Sequence, residues 1–131
     1  MQIDRAMYDE IVKHAQADAP DECCGIVSVD GDRAARVYRT TNTEASPLRF
    51  VIDPQELYRV HSAIEDAGVQ LGAIYHSHTR SEPYPSQTDI NFAQGWPGVL
   101  WIIVGVAEQQ PKVRTFAIAG GEVSETELEV V

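Results

Sequence analysis

The sequence predicts an α/β fold, a mixed β-sheet flanked by two long helices and one short helix, in a single domain spanning 1–131. Three observations predict it. Residues 4–18 and 53–67 repeat apolar side chains at helical spacing. Short apolar or alternating runs bounded by Gly, Pro and Asp lie between and after them and read as strands. One of these, Val99 to Val106, is apolar throughout, the pattern of a strand buried on both faces. At 131 residues the chain can bury one real core and is too short for two domains.

Asp4 can cap the first helix, which places Met7, Ile11, Val12 and Ala15 on one face; His14, among polar neighbours, is expected to be exposed. Pro20-Asp21-Glu22 breaks the helix and leads into a strand, Cys24 to Val29. Asp30-Gly31 is the strongest hairpin signal, with a return strand over 35–40. A polar loop, 41–47, precedes an expected short strand over 48–52. Asp53-Pro54-Gln55-Glu56 has a cap, a proline at the first helical position and an acid at the third, so a second helix should run to 66–67 and end at Gly68. His61 on it is expected at the surface. A strand over Val69 to Ser77, a short helix near 86–94 and the apolar strand 99–106 follow. Strands near 112–118 and 122–130, separated by Gly120-Gly121, complete the chain.

Ten Lys and Arg against twenty Asp and Glu leave a net charge of −10, which argues against a nucleic-acid partner. No apolar run approaches the ~18 residues of a membrane span, and Met1-Gln2-Ile3-Asp4-Arg5 carries no apolar signal segment. The expectation is a cytoplasmic protein with no membrane partner. The adjacent Cys23 and Cys24 fit a reducing compartment and are expected to point one inward and one outward on their strand.

The chemistry concentrates in His76-Ser77-His78 and, after seven residues, Ser86-Gln87-Thr88-Asp89. A strand alternates its side chains, so His76 and His78 share a face and Ser77 takes the other. Two imidazoles at that spacing can reach one metal ion at ~2.0–2.1 Å, and Asp89 can add an oxygen ligand once the loop turns back. Three protein ligands leave a fourth tetrahedral position for water, the arrangement of a catalytic zinc. Ser86 and Asp89 also read simply as a capping box before Ile90 and Phe92, which would hold Asp89 rigidly. The set still needs an acid that moves protons without binding the metal. Glu22, just before a central strand, is available, although alone it reads as a solvated loop charge.

With Glu22, His76-Ser77-His78 and Ser86-x-x-Asp89 in this order, the chain resembles the JAMM (MPN-plus) zinc metalloprotease family over essentially its whole length. The resemblance implies a JAMM/MPN fold akin to that of cytidine deaminases. Pro20 to Gly25, Tyr75 to Thr79 and Tyr84-Pro85-Ser86 are most similar to the bacterial branch acting on ubiquitin-like sulfur-carrier proteins. Thr79 stands where other members carry proline, as in that branch. The resemblance assigns His76, His78 and Asp89 as ligands of one Zn2+ per chain, Glu22 as general base and acid, and Ser86 as oxyanion donor. It implies hydrolysis of the amide after a carrier's C-terminal Gly-Gly, with release of cysteine, and it allows a homodimer. Tyr84 and the loop around Asn42 are candidates for holding the extended tail. Trimming of carrier extensions and cleavage of lysine-linked conjugates stay open. A zinc deaminase would need a C-x-x-C pair, which is missing. A metal-free binding scaffold would lack the ligands that are all present here.

Overall fold

The computed structural model describes residues 1–131. In chain order the elements are β1 (Gln2–Ile3), α1 (Arg5–Asp18), β2 (Cys24–Asp30), β3 (Arg33–Thr40), α2 (Pro54–Asp66), β4 (Gln70–His78), α3 (Gln87–Ala93), β5 (Leu100–Gly105), β6 (Lys112–Ala119), β7 (Glu122–Thr126) and β8 (Glu129–Val130). The eight strands form one mixed sheet in the order β7-β6-β5-β4-β2-β3-β1-β8. β7 and β8 stand at opposite ends of that order although only Glu127 and Leu128 separate them, so the sheet curls until its ends meet.

Both faces of the sheet are covered. Ile11 and Ala15 of α1 pack with Val27, Ala73, Tyr75, Ile102 and Val104 on one face. Val60 and Ile64 of α2 and Ala93 of α3 pack with Ile26, Ile74, Trp101, Ile103 and Phe116 on the other. α2 forms as its start signal requires, with the Asp53 carboxylate accepting from the amides of Gln55 and Glu56 ahead of a proline-led first turn. β4 pairs antiparallel with β2 and parallel with β5, so the end of β4 lies inside the sheet beside the beginning of β2. Tyr75 lies over Gly25, its register partner, where any side chain at Gly25 would occupy the space of the ring.

Four expectations are corrected. Residues 48–52 form no strand, only a bridge between Asn42 and Ile52. The Asn42 side chain takes the Arg49 carbonyl and the Val51 amide, the groups a ladder would have used. The expected last strand, 122–130, divides between two edges: β7 pairs with β6, whereas β8 pairs with β1. His14 is buried, with Nδ1 2.6 Å from the Tyr75 hydroxyl and Nε2 3.3 Å from Asp18. Cys23 and Cys24 do face opposite ways, but both are buried because each face of the sheet carries a core. His61 is exposed, as expected.

Candidate metal centre

Strand pairing assembles the centre. Cys24 stands opposite His76 in the β2–β4 register, and the Ser77 amide donates to the Cys23 carbonyl, continuing the pairing toward the end of β4. One step further, Glu22 falls opposite His78. The alternation that buries Cys24 on the face with α2 and α3 puts Glu22, His76 and His78 on that face too. Ser77 points the other way, and its Oγ accepts from the Cys23 amide at 2.8 Å, a structural bond. Asp89 arrives from α3, whose N-terminus is a complete capping box: Ser86 Oγ accepts from the Asp89 amide at 3.2 Å, and Asp89 Oδ2 accepts from the Ser86 amide at 3.0 Å. The loop between β4 and α3 is seated by Pro83, which packs where Gly105 leaves room for it.

The three donor atoms converge. His76 Nε2 lies 3.2 Å from His78 Nε2 and 3.2 Å from Asp89 Oδ2, and His78 Nε2 lies 3.1 Å from Asp89 Oδ2. All three residues are buried. Three ligands at zinc's ~2.0–2.1 Å bond lengths and tetrahedral angles stand about 3.3 Å from one another, so the triangle fits such an ion. The His78 tautomer fits as well. His78 Nδ1 donates to the Glu82 carbonyl at 2.9 Å, which leaves the Nε2 lone pair facing the other two donors. The His76 ring stacks on Phe50, with centroids 4.6 Å apart. Its Nδ1 is buried without a hydrogen-bond partner.

The electrostatics separate the acids. Burial works against the charge on Asp89, but hydrogen bonds from His76 and His78 outweigh it and hold its carboxyl well below the usual carboxylate range. Burial lowers the pKa of His76, against the pull of Asp89, which favours the neutral imidazole a metal requires. Burial also pushes on His78, but Asp89 and the Glu82 carbonyl prevail and raise it. Glu22 behaves in the opposite way to Asp89. Burial pushes it up to about 7, with His78 pulling down and Asp89 pushing up. A carboxyl poised near neutrality, outside the ligand triangle, suits proton transfer.

All five residues singled out in the sequence therefore come together. Glu22, His78 and Ser86 line one open groove with Pro47, Leu48 and Thr79. Sequence reasoning missed the contributions of Phe50, which stacks on His76, and of Asn42, whose buried side chain donates to the Glu22 carbonyl at 3.0 Å. A lone Asn in a polar loop carries no spacing signal of such a role.

Residues 4–119 match the model of a protein family described as prokaryotic homologues of the JAB domain. The chain is 36% identical over 128 residues to a CysO-cysteine peptidase of Mycobacterium tuberculosis, covering 95% of this chain and 87% of that protein. It is 36% identical over 102 residues to a desampylase of Haloferax volcanii, covering 72% and 73%. The solution structure of protein DSY2949 from Desulfitobacterium hafniense superposes with a TM-score of 0.88 at 29% identity, over 99% of this chain and 92% of that one.

Proposed function

The chain belongs to the prokaryotic JAB (JAB/MPN) family and is a peptidase, and from that premise we propose that it hydrolyses the amide after the C-terminal Gly-Gly of a ubiquitin-like sulfur-carrier protein, releasing cysteine. The observation that carries this reading is the meeting of His76, His78 and Asp89 donor atoms within one zinc-sized triangle, with Glu22 and Ser86 in the adjoining groove. The likeness to a CysO-cysteine peptidase over 95% of the chain supports the choice of substrate. In this reading residues 1–131 work as one catalytic domain, and no residue of the five comes from a second copy.

His76 Nε2, His78 Nε2 and Asp89 Oδ2 would hold one Zn2+, which when bound lowers the pKa of water to roughly 7 and polarises a carbonyl. Glu22 takes a proton from the attacking water. It then passes that proton to the leaving nitrogen, because an amine leaves only once protonated. Ser86 Oγ already accepts from the Asp89 amide, so its own hydrogen is free to donate to the oxyanion as the carbonyl carbon becomes tetrahedral. Gly-Gly has no side chains to read, so recognition falls to backbone and channel shape. Leu48 lines the groove, and the carbonyls of Leu48 and Phe50 make no backbone hydrogen bond within the protein, which suits pairing with an extended tail. Two buried free thiols, Cys23 and Cys24, agree with a reducing, cytoplasmic setting.

The test is incubation of the purified protein with a ubiquitin-fold carrier bearing an amide-linked cysteine after Gly-Gly, with and without chelator, followed by mass spectrometry. Chelator-sensitive loss of the cysteine is expected and would place the reaction in cysteine synthesis. An intact carrier in the presence of zinc-loaded protein would overturn the substrate and turn the search to C-terminally extended carriers and lysine-linked conjugates.

A further inference from the structure

Glu22 stands on a short irregular segment between α1 and β2, yet a proton-transfer carboxylate must be held to within a fraction of an ångström. We propose that Asn42 and Thr79 are positioning residues: Thr79 clamps the segment carrying Glu22 to the end of the strand carrying His78, and Asn42 clamps it to the loop that carries Leu48 and Phe50. The proposal rests on the metallopeptidase reading above and adds how its base is held.

The clamp has three ties. Thr79 Oγ1 donates to the Pro20 carbonyl at 2.8 Å, one residue after His78. Asn42 Nδ2 donates to the Glu22 carbonyl at 3.0 Å. The Glu22 amide donates to the Ser46 carbonyl at 2.8 Å. Asn42 is buried and uses its whole capacity: Nδ2 also reaches the Arg49 carbonyl at 3.0 Å, and Oδ1 accepts from the amides of Glu44 at 3.1 Å and Val51 at 3.0 Å. Between those bonds Ala45 is held at φ 43°, a conformation that side chains with a Cβ disfavour and that persists only where surroundings over-determine it. The loop closed by Asn42 also carries Phe50 onto His76 and Leu48 into the groove. Base, ligand strand and groove wall are thus one hydrogen-bonded body. A proline at position 79 would have no hydroxyl to give.

Removing a tie should displace the carboxylate while leaving the three ligand side chains in place. A misplacement of about 1 Å costs up to about 10²-fold in rate. The experiment compares wild type, Asn42→Ala, Thr79→Val and Thr79→Ser on the carrier with amide-linked cysteine, with zinc content measured for each. Asn42→Ala should lose roughly tenfold to a hundredfold in kcat and Thr79→Val roughly tenfold, with zinc content unchanged, while Thr79→Ser keeps the hydroxyl and the rate. Amide exchange of residues 19–24 should quicken in Asn42→Ala and Thr79→Val and stay slow in Thr79→Ser. Wild-type kcat in Thr79→Val, or losses shared equally by Thr79→Ser, would overturn the clamp. If wild type leaves the carrier intact, the substrate reading alone fails, and unchanged exchange in Thr79→Val would still overturn the clamp.

Discussion

Replacing Gly25 with alanine tests how the two strands that carry the site are locked together. Gly25 pairs with Tyr75, and a methyl group there would lie within the space of the phenol ring. Tyr75 is fully buried and its hydroxyl meets His14 Nδ1 at 2.6 Å, so the ring has no open side to which it can swing. Overpacking of this kind costs about 1–3 kcal/mol. Breaking the His14 bond while both groups stay buried costs about 1–3 kcal/mol more. A total of about 2–6 kcal/mol is a large share of the 5–15 kcal/mol typical of a domain. The assay is urea denaturation, in which the midpoint should fall with little change in slope. In a Tyr75→Val background the ring is gone, and the same Gly25→Ala change should cost under about 1 kcal/mol. Equal losses in the two backgrounds, or a wild-type loss below about 1 kcal/mol, would refute the steric argument.

Three further outcomes follow from the site and its support. His76→Ala and Asp89→Ala should each purify without zinc by elemental analysis, because the triangle needs all three donors; normal zinc in both would refute the ligand set. Ser86→Ala should lose about 10²–10³ in kcat as an oxyanion donor and also about 1 kcal/mol as a helix cap, so the rate must be read on protein shown to be folded. Burial, working against Asp18, holds the His14 pKa below its ordinary 6.5. Below that pH the unfolded chain takes up a proton that the folded chain excludes, so this group's contribution to stability is lost with acidity; His14→Gln should lessen the fall of the urea midpoint as the pH drops below about 6.5, and parallel curves would contradict this.

Much of this was legible in the sequence, for physical reasons. Helix starts are local, so Asp53-Pro54-Gln55-Glu56 and Ser86-x-x-Asp89 marked α2 and α3 correctly. Strand alternation is local too, and it placed His76 and His78 together and Ser77 apart. What failed depended on distant partners. β1 has two residues, and it is made a strand by β3 and β8 rather than by its own composition. His14 read as exposed because its hydroxyl partner, Tyr75, lies 61 residues away. Residues 48–52 had strand composition, but Asn42 claimed their backbone groups first. His76, His78, Ser86 and Asp89 stood out through their types and spacing and Glu22 only through the family resemblance, whereas the residues that hold them, Asn42 among them, had no pattern to announce them.

The most direct test of the account is the turnover of Glu22→Gln loaded with zinc. The substitution keeps the size of the side chain and leaves the three ligands in place, so one zinc per chain should remain. Turnover of the carrier should fall by roughly 10²–10⁴-fold, the usual worth of general acid–base catalysis. Wild-type turnover in a zinc-loaded Glu22→Gln protein would contradict the assignment of Glu22 as the group that moves the proton, and with it the proposed reaction.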